Sequence, residues 1–239
     1  APLLPTGEDF HDVWAGSNGR EALELFNRHG VLAAITGHWH RVGEWQAHGL
    51  RVINTGALVG WQWTGIPPHY CFPVRPGYRL FWFGGGWLRT FWREGSYWMK
   101  EAPRAQVWLE WIGEVHTGGP RPQVRSATVS APTRLVAKAF VLGGRVEAVE
   151  FSAARERWES MEPVFEGLWS EWEISLDPSR LRPGGPYPLC VRAVVDGKVA
   201  AYDAVPVSIA ERESGVLAPS PATPGPEFVW ELFYKPDGE

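Results

Sequence analysis

The sequence predicts an α/β unit followed by an all-β sandwich. Three observations carry that expectation. A capped amphipathic helix runs directly into an unbroken apolar strand within the first forty residues. Short alternating strands with turns between them then occupy most of the second half. Gly and Pro are abundant, 27 and 21 of 239 residues, which favours turns and strands over long helices. Charged residues make up 21% and apolar residues 44%, the balance of a globular chain. The length suits one or two domains with a real core.

Taken in order, Ala1 to Gly16 reads as loop, and the opening Ala-Pro-Leu-Leu-Pro, without Met, reads as a cut or processed end. Asn18 is placed to cap a helix, with Glu21 where a capping-box acid belongs. Ala22, Leu23, Leu25 and Phe26 form its apolar face, and His29-Gly30 ends it, with Gly able to take the left-handed conformation after the last turn. Val31-Leu32-Ala33-Ala34-Ile35 follows as a strand expected to be buried on both faces. Open α/β sheets place their chemistry at the carboxyl ends of such strands. Glu44–Ala47 and Arg51–Asn54, on either side of His48-Gly49, predict one hairpin. Tyr78–Phe83 and Trp87–Trp92, joined by Gly84-Gly85-Gly86, predict another. Between the hairpins, residues 56–77 form a long Trp-, Pro- and Gly-rich loop of the kind that carries function.

The character changes near Lys100-Glu101-Ala102-Pro103. Candidate strands are Val107–Val115, Ser126–Val129, Leu135–Leu142, Val146–Phe151, Trp169–Leu176, Tyr187–Val195 and Val199–Pro206. Strands at this spacing, with turns such as Asp196-Gly197, fit an Ig-like sandwich. The expected organisation is therefore 1–100, 101–210, and a Pro/Ser-rich linker with a last strand over 211–239.

Composition also excludes functions. There are 23 basic and 27 acidic residues and no basic block, so a nucleic-acid surface is not expected. No apolar run reaches membrane-spanning length. Cys71 and Cys190 lie too far apart in sequence for a disulfide framework or a metal knuckle. The 15 tryptophans offer stacking surfaces and leave room for a homodimer.

Chemistry is concentrated in Gly37-His38-Trp39-His40, just past the apolar strand. Two imidazoles two residues apart on a Gly-led turn can converge on one centre, and neutral imidazole is the commonest nitrogen ligand of transition metals. The run from Val31 to Arg41, followed by Gly49-Leu50-Arg51-Val52-Ile53-Asn54-Thr55-Gly56, resembles the last ligand-bearing block of calcineurin-like metallophosphoesterases. Gly60-Trp61-Gln62-Trp63-Thr64-Gly65 and Arg75-Pro76-Gly77-Tyr78-Arg79 resemble the subgroup in which a β-rich module follows the catalytic domain.

The resemblance implies that residues 1–100 are the C-terminal part of a metallophosphoesterase β-sandwich with flanking helices. It further implies two divalent cations (Mn, Fe or Zn) and hydrolysis of phosphate mono- or diesters. His38 would bind the metal shared with an upstream Asn and His. His40 would bind the metal held by the family's N-terminal Asp-x-His motif. Two cations about 3.5–4 Å apart clamp phosphoryl oxygens and generate a nucleophile near neutral pH. The chain is read as carrying no Asp-x-His, Gly-Asp or Gly-Asn-His/Asp block, so the family's ligand set exceeds the two His supplied here. A missing N-terminal half, from the same gene or a separate chain, is the expected partner, and this chain alone is expected to be inactive.

Trp39, Trp61, Trp63 and His69 are candidate substrate-wall residues, although the tryptophans equally suit packing. His11, in Glu8-Asp9-Phe10-His11-Asp12, and His48 read as surface or turn residues. His29 reads as a charge partner for the helix C-terminus, and His116 has no partner visible in the sequence. Glu110, Glu114, Glu147 and Glu150 read as solvated strand positions. Trp158, Trp169 and Trp172 read as sandwich core or interface. The alternative function is a non-catalytic binding or assembly module with Trp-rich surfaces.

Overall fold

The computed structural model describes residues 19–37, 42–47, 49–56, 77–95, 103–117, 127–153, 157–181 and 183–210. The chain divides into two compact units, Ala1–Pro103 and Arg104–Glu239.

In the first unit, α1 (Gly19–Arg28) carries Glu21 in its first turn and Arg28 in its last, the charge order that suits the helix dipole. Its end is a Schellman turn: Val31 N donates to Phe26 O at 3.0 Å and Gly30 N to Asn27 O at 3.1 Å. Gly30 holds the left-handed φ of 66° that this turn requires. Leu23 is fully buried against Ala34, Leu50 and Val52, with Phe26 beside them. These residues belong to a three-stranded sheet of order β1-β3-β2, formed by β1 (Ala34–Thr36), β2 (Gly43–Ala47) and β3 (Leu50–Asn54). β1 runs parallel to β3, and β2 pairs with β3 as an antiparallel hairpin.

A separate two-stranded sheet joins β4 (Gly77–Gly84) to β5 (Trp87–Glu94) in continuous register from Gly77↔Glu94 to Gly84↔Trp87. Arg51 ties the two sheets together. It pairs with Glu44 on β2 and donates to Leu88 O on β5 at 2.5 Å. Near the hairpin base, burial lowers the Arg93 pKa, opposed by Tyr78 and Glu94. The Arg93 guanidinium donates to Pro103 O at 2.6 Å.

The second unit is two five-stranded sheets around one core. One has the order β12-β13-β9-β6-β7: β12 (Glu162–Glu166), β13 (Ser170–Leu176), β9 (Thr133–Val141), β6 (Ala105–Ile112) and β7 (Val115–His116). The other has the order β11-β10-β14-β15-β8: β11 (Glu159–Ser160), β10 (Ala148–Ala153), β14 (Gly184–Val195), β15 (Lys198–Ile209) and β8 (Ala127–Val129). Alternate residues face inward. Leu109, Leu135 and Trp172 from the first sheet meet Val149, Val191 and Val205 from the second in a shared core. Asp203 faces the same interior. Its Oδ2 accepts the Leu109 amide at 3.0 Å, tying β15 to β6 across the sandwich.

The expected α/β class with flanking helices is corrected. The described residues are mostly strand, and α1 is their single α-helix. The apolar run after α1 explains the error. Only Ala34–Thr36 is strand. Val31, Leu32 and Ile35 are 40%, 48% and 52% exposed, not buried on both faces. Continuous hydrophobicity does not by itself distinguish a doubly covered strand from a loop and short strand. No helix among the described residues is long and apolar enough to cross a membrane.

Asp203→Ala removes the acceptor of a buried backbone amide and is expected to cost about 1–3 kcal/mol, read from urea denaturation. Glu166→Ala breaks only the exposed pair with Arg145 and should shift stability by less than about 0.5 kcal/mol.

Candidate functional site

β1 and β3 end side by side, in the register Thr36↔Asn54. The two ends are fastened by side chains as well as by the ladder. Thr36 Oγ1 donates to Asn54 Oδ1 at 3.1 Å, out of contact with solvent. Thr36 O accepts from both the Thr55 amide, at 2.9 Å, and Thr55 Oγ1, at 3.2 Å. On the neighbouring hairpin, Arg79 donates to Asn54 O at 3.5 Å and to Thr90 Oγ1 at 2.8 Å. Trp92 then closes the edge. A Cβ placed on Gly56 would lie 2.7 Å from its indole ring, so only glycine fits there without a shift. The chain therefore leaves β1 at Gly37, next to Thr55, from a rigid parallel strand pair.

His38, Trp39 and His40 follow Gly37 at once in sequence. They lie outside the described residues, as do Trp61, Trp63, His69, His11 and His48. The predicted residues that the structure does bring together are Gly37, Asn54, Thr55 and Gly56. The expectation that the chain holds no Asp-x-His is corrected by the sequence itself, since Asp9-Phe10-His11 has that spelling. No strand-like apolar run leads into it, and it too lies outside the described residues.

The second unit carries polar clusters that sequence patterning missed. Glu110 is corrected from a solvated position to one 2% exposed. It accepts from Trp108 Nε1 and from Lys138 Nζ at 3.2 Å, and it bonds His116 Nε2 at 3.0 Å. His116 thus has a partner, and its ring also meets Trp111 edge-on at 4.9 Å. Lys138 lies 3.9 Å from Glu171, which accepts from Trp169 Nε1 at 3.0 Å. Buried charges survive only when paired and hydrogen-bonded in this way. Strand alternation marks these positions as facing away from the sandwich core, but it carries no information on whether that face is wet.

On the other sheet, Ser160, Glu150, Arg192 and Tyr202 form one row across four strands. Glu150 pairs with Arg192 at 2.5 Å, so it too is not simply solvated. Arg192 lies 4.1 Å from the centroid of the half-buried Trp158 ring. Cys190 is buried and accepts the Tyr202 hydroxyl at 2.8 Å. Of the other predicted tryptophans, Trp172 joins the core and Trp169 is buried. A shallow pocket of about 220 Å³ opens between Val141, Arg145, Glu166 and Leu168. Ligand pockets usually run to roughly 300–1,000 Å³, so this one is small for an organic substrate.

No protein-family model matches the chain, and no curated protein matches it. Among solved structures it is similar to an endo-beta-1,4-mannanase from Thermotoga petrophila, at 14% identity and a TM-score of 0.34 over 48% of this chain and 21% of that one. It is also similar to the sulfane dehydrogenase SoxCD from Paracoccus pantotrophus, at 20% identity and a TM-score of 0.30 over 48% of this chain and 25% of that one. The chain thus spans a quarter or less of the length of either.

Proposed function

We propose that this chain supplies the last ligand-bearing strand end of a metal-dependent phosphoesterase acting on phosphate mono- or diesters. The observation that carries this is the parallel register Thr36↔Asn54, pinned by the Thr36–Asn54 hydrogen bond. It sets the exit of β1, and so the start of Gly37-His38-Trp39-His40, beside the end of β3 on a hydrogen-bonded strand pair. Two neutral imidazoles form a donor set that suits Mn, Fe or Zn. His38 and His40 would hold the cations jointly with further ligands that complete the set. When bound, such cations provide Lewis-acid activation of the ester and of the attacking water. The β1–β3 pin and the Trp92 wedge against Gly56 would keep the metal-bearing turn from drifting, since small displacements of reacting groups are costly in rate. Trp39, Trp61, Trp63 and His69 would wall the substrate entrance.

The decisive assay takes a form of the protein that carries the complete ligand set. It measures bound metal by elemental analysis and hydrolysis of p-nitrophenyl phosphate and bis(p-nitrophenyl) phosphate. His40→Ala should lower turnover at least about a hundredfold and reduce metal content; full activity with full metal loading would refute the assignment. Thr36→Val keeps the side-chain shape but deletes the donor to Asn54. It should cost about 1 kcal/mol of stability and speed hydrogen exchange at the Thr55 amide.

A further inference from the structure

The β4–β5 hairpin is buried at its base and open at its tip. Thr90, Phe91 and Trp92 are closed to solvent, whereas Phe83, Trp87 and Trp82 are 65%, 41% and 36% exposed. The register pairs Trp82 with Arg89 and Gly84 with Trp87, so Trp82, Trp87 and Arg89 share one face of the ribbon. Phe81 and Phe83 share the other, their rings stacked at 6.2 Å. The Trp87 ring lies flat over the turn: a Cβ on Gly84 would fall 2.0 Å from it. The Arg89 guanidinium stands 5.8 Å from the Trp87 centroid. From Gly77 to Glu94 the hairpin contains three arginines and one acid, the buried Glu94 at its base, so Arg89 is the charge nearest the tip, within a chain of net charge -4.

Exposed aromatics on both faces of a narrow ribbon are informative. A folded protein or a glycan chain stacks on one face and leaves the other in water. A lipid interface surrounds a ribbon tip and takes up both. Indole and phenyl rings favour that layer, and an arginine beside them reaches lipid phosphate while its stem stays among the rings. Residues 82–84 span roughly 7–10 Å at the usual rise per residue. That matches the roughly 5–10 Å depth of interfacial insertion and falls far short of the roughly 30 Å hydrocarbon core. We propose that the β4–β5 tip is a membrane-docking device, seating Trp82, Phe83 and Trp87 in the interfacial layer of an anionic phospholipid surface with Arg89 against the headgroups. This inference is independent of the phosphoesterase proposal.

The test is co-sedimentation of the full chain with vesicles of phosphatidylcholine alone and of phosphatidylcholine mixed with phosphatidylserine. Tryptophan quenching by lipids brominated near the headgroup runs alongside and needs no variant. Binding and quenching are expected with the mixed vesicles. Phe83→Ser combined with Trp87→Ser should weaken binding about tenfold or more. Arg89→Gln should reduce mainly the preference for phosphatidylserine. Circular dichroism checks that these exposed changes leave the fold intact. The proposal is overturned if the wild-type chain binds neither vesicle or shows no quenching. Equal binding by the tip variants overturns it too, as does ultracentrifugation showing that the tip instead joins two copies of the chain.

Discussion

Thr36 is the point on which the first unit turns. Its hydroxyl reaches Asn54 and its carbonyl takes two bonds from Thr55, so a three-residue strand gains side-chain fastening beyond its ladder. Parallel pairing over so few residues is weak by itself. The side-chain bonds add to the ladder, and burial of the Thr36–Asn54 bond shields it from competition with water. Trp92 completes the constraint from the neighbouring hairpin by occupying the space over Gly56.

The two units solve the same burial problem differently. In the second, ten strands of the described residues close on a single apolar interior, and Asp203, a carboxylate brought into it, accepts a backbone amide. On the outer face of the other sheet Glu110, Lys138 and Glu171 are buried as well, and Glu110 meets three partners there. Among the described residues of the first unit, Leu23, Ala34, Leu50 and Val52 form one buried cluster with Phe26 at its margin, and Val42, Ile53, Phe91 and Trp92 are buried outside it. Val31 and Leu32 before the sheet, Ile35 within β1 and the aromatic tip of the second hairpin stay exposed.

Local signals were read well where the chemistry is local. Asn18, Glu21 and His29-Gly30 bracket a helix observed at Gly19–Arg28, because a cap and a left-handed glycine act within one turn. The Gly84-Gly85-Gly86 turn and the Tyr78–Phe83 and Trp87–Trp92 pairing appear within a residue or two of their expected limits, because a tight turn sets the register of its own strands. The strand expected over Val31–Ile35 was misjudged, because burial on two faces is a property of neighbours rather than of the run itself.

The amino-acid sequence alone determined which segments extend, where they turn, and that two imidazoles stand behind a glycine at a strand's end. Those are consequences of backbone preference and periodicity acting over a few residues. Only the tertiary structure decided that β1 lies parallel to β3 and is pinned by Asn54, that Glu110 and His116 are partners, and which aromatics remain uncovered at the hairpin tip. Pairings between distant segments and the wetness of a face depend on what the fold brings alongside, and no window of sequence carries that.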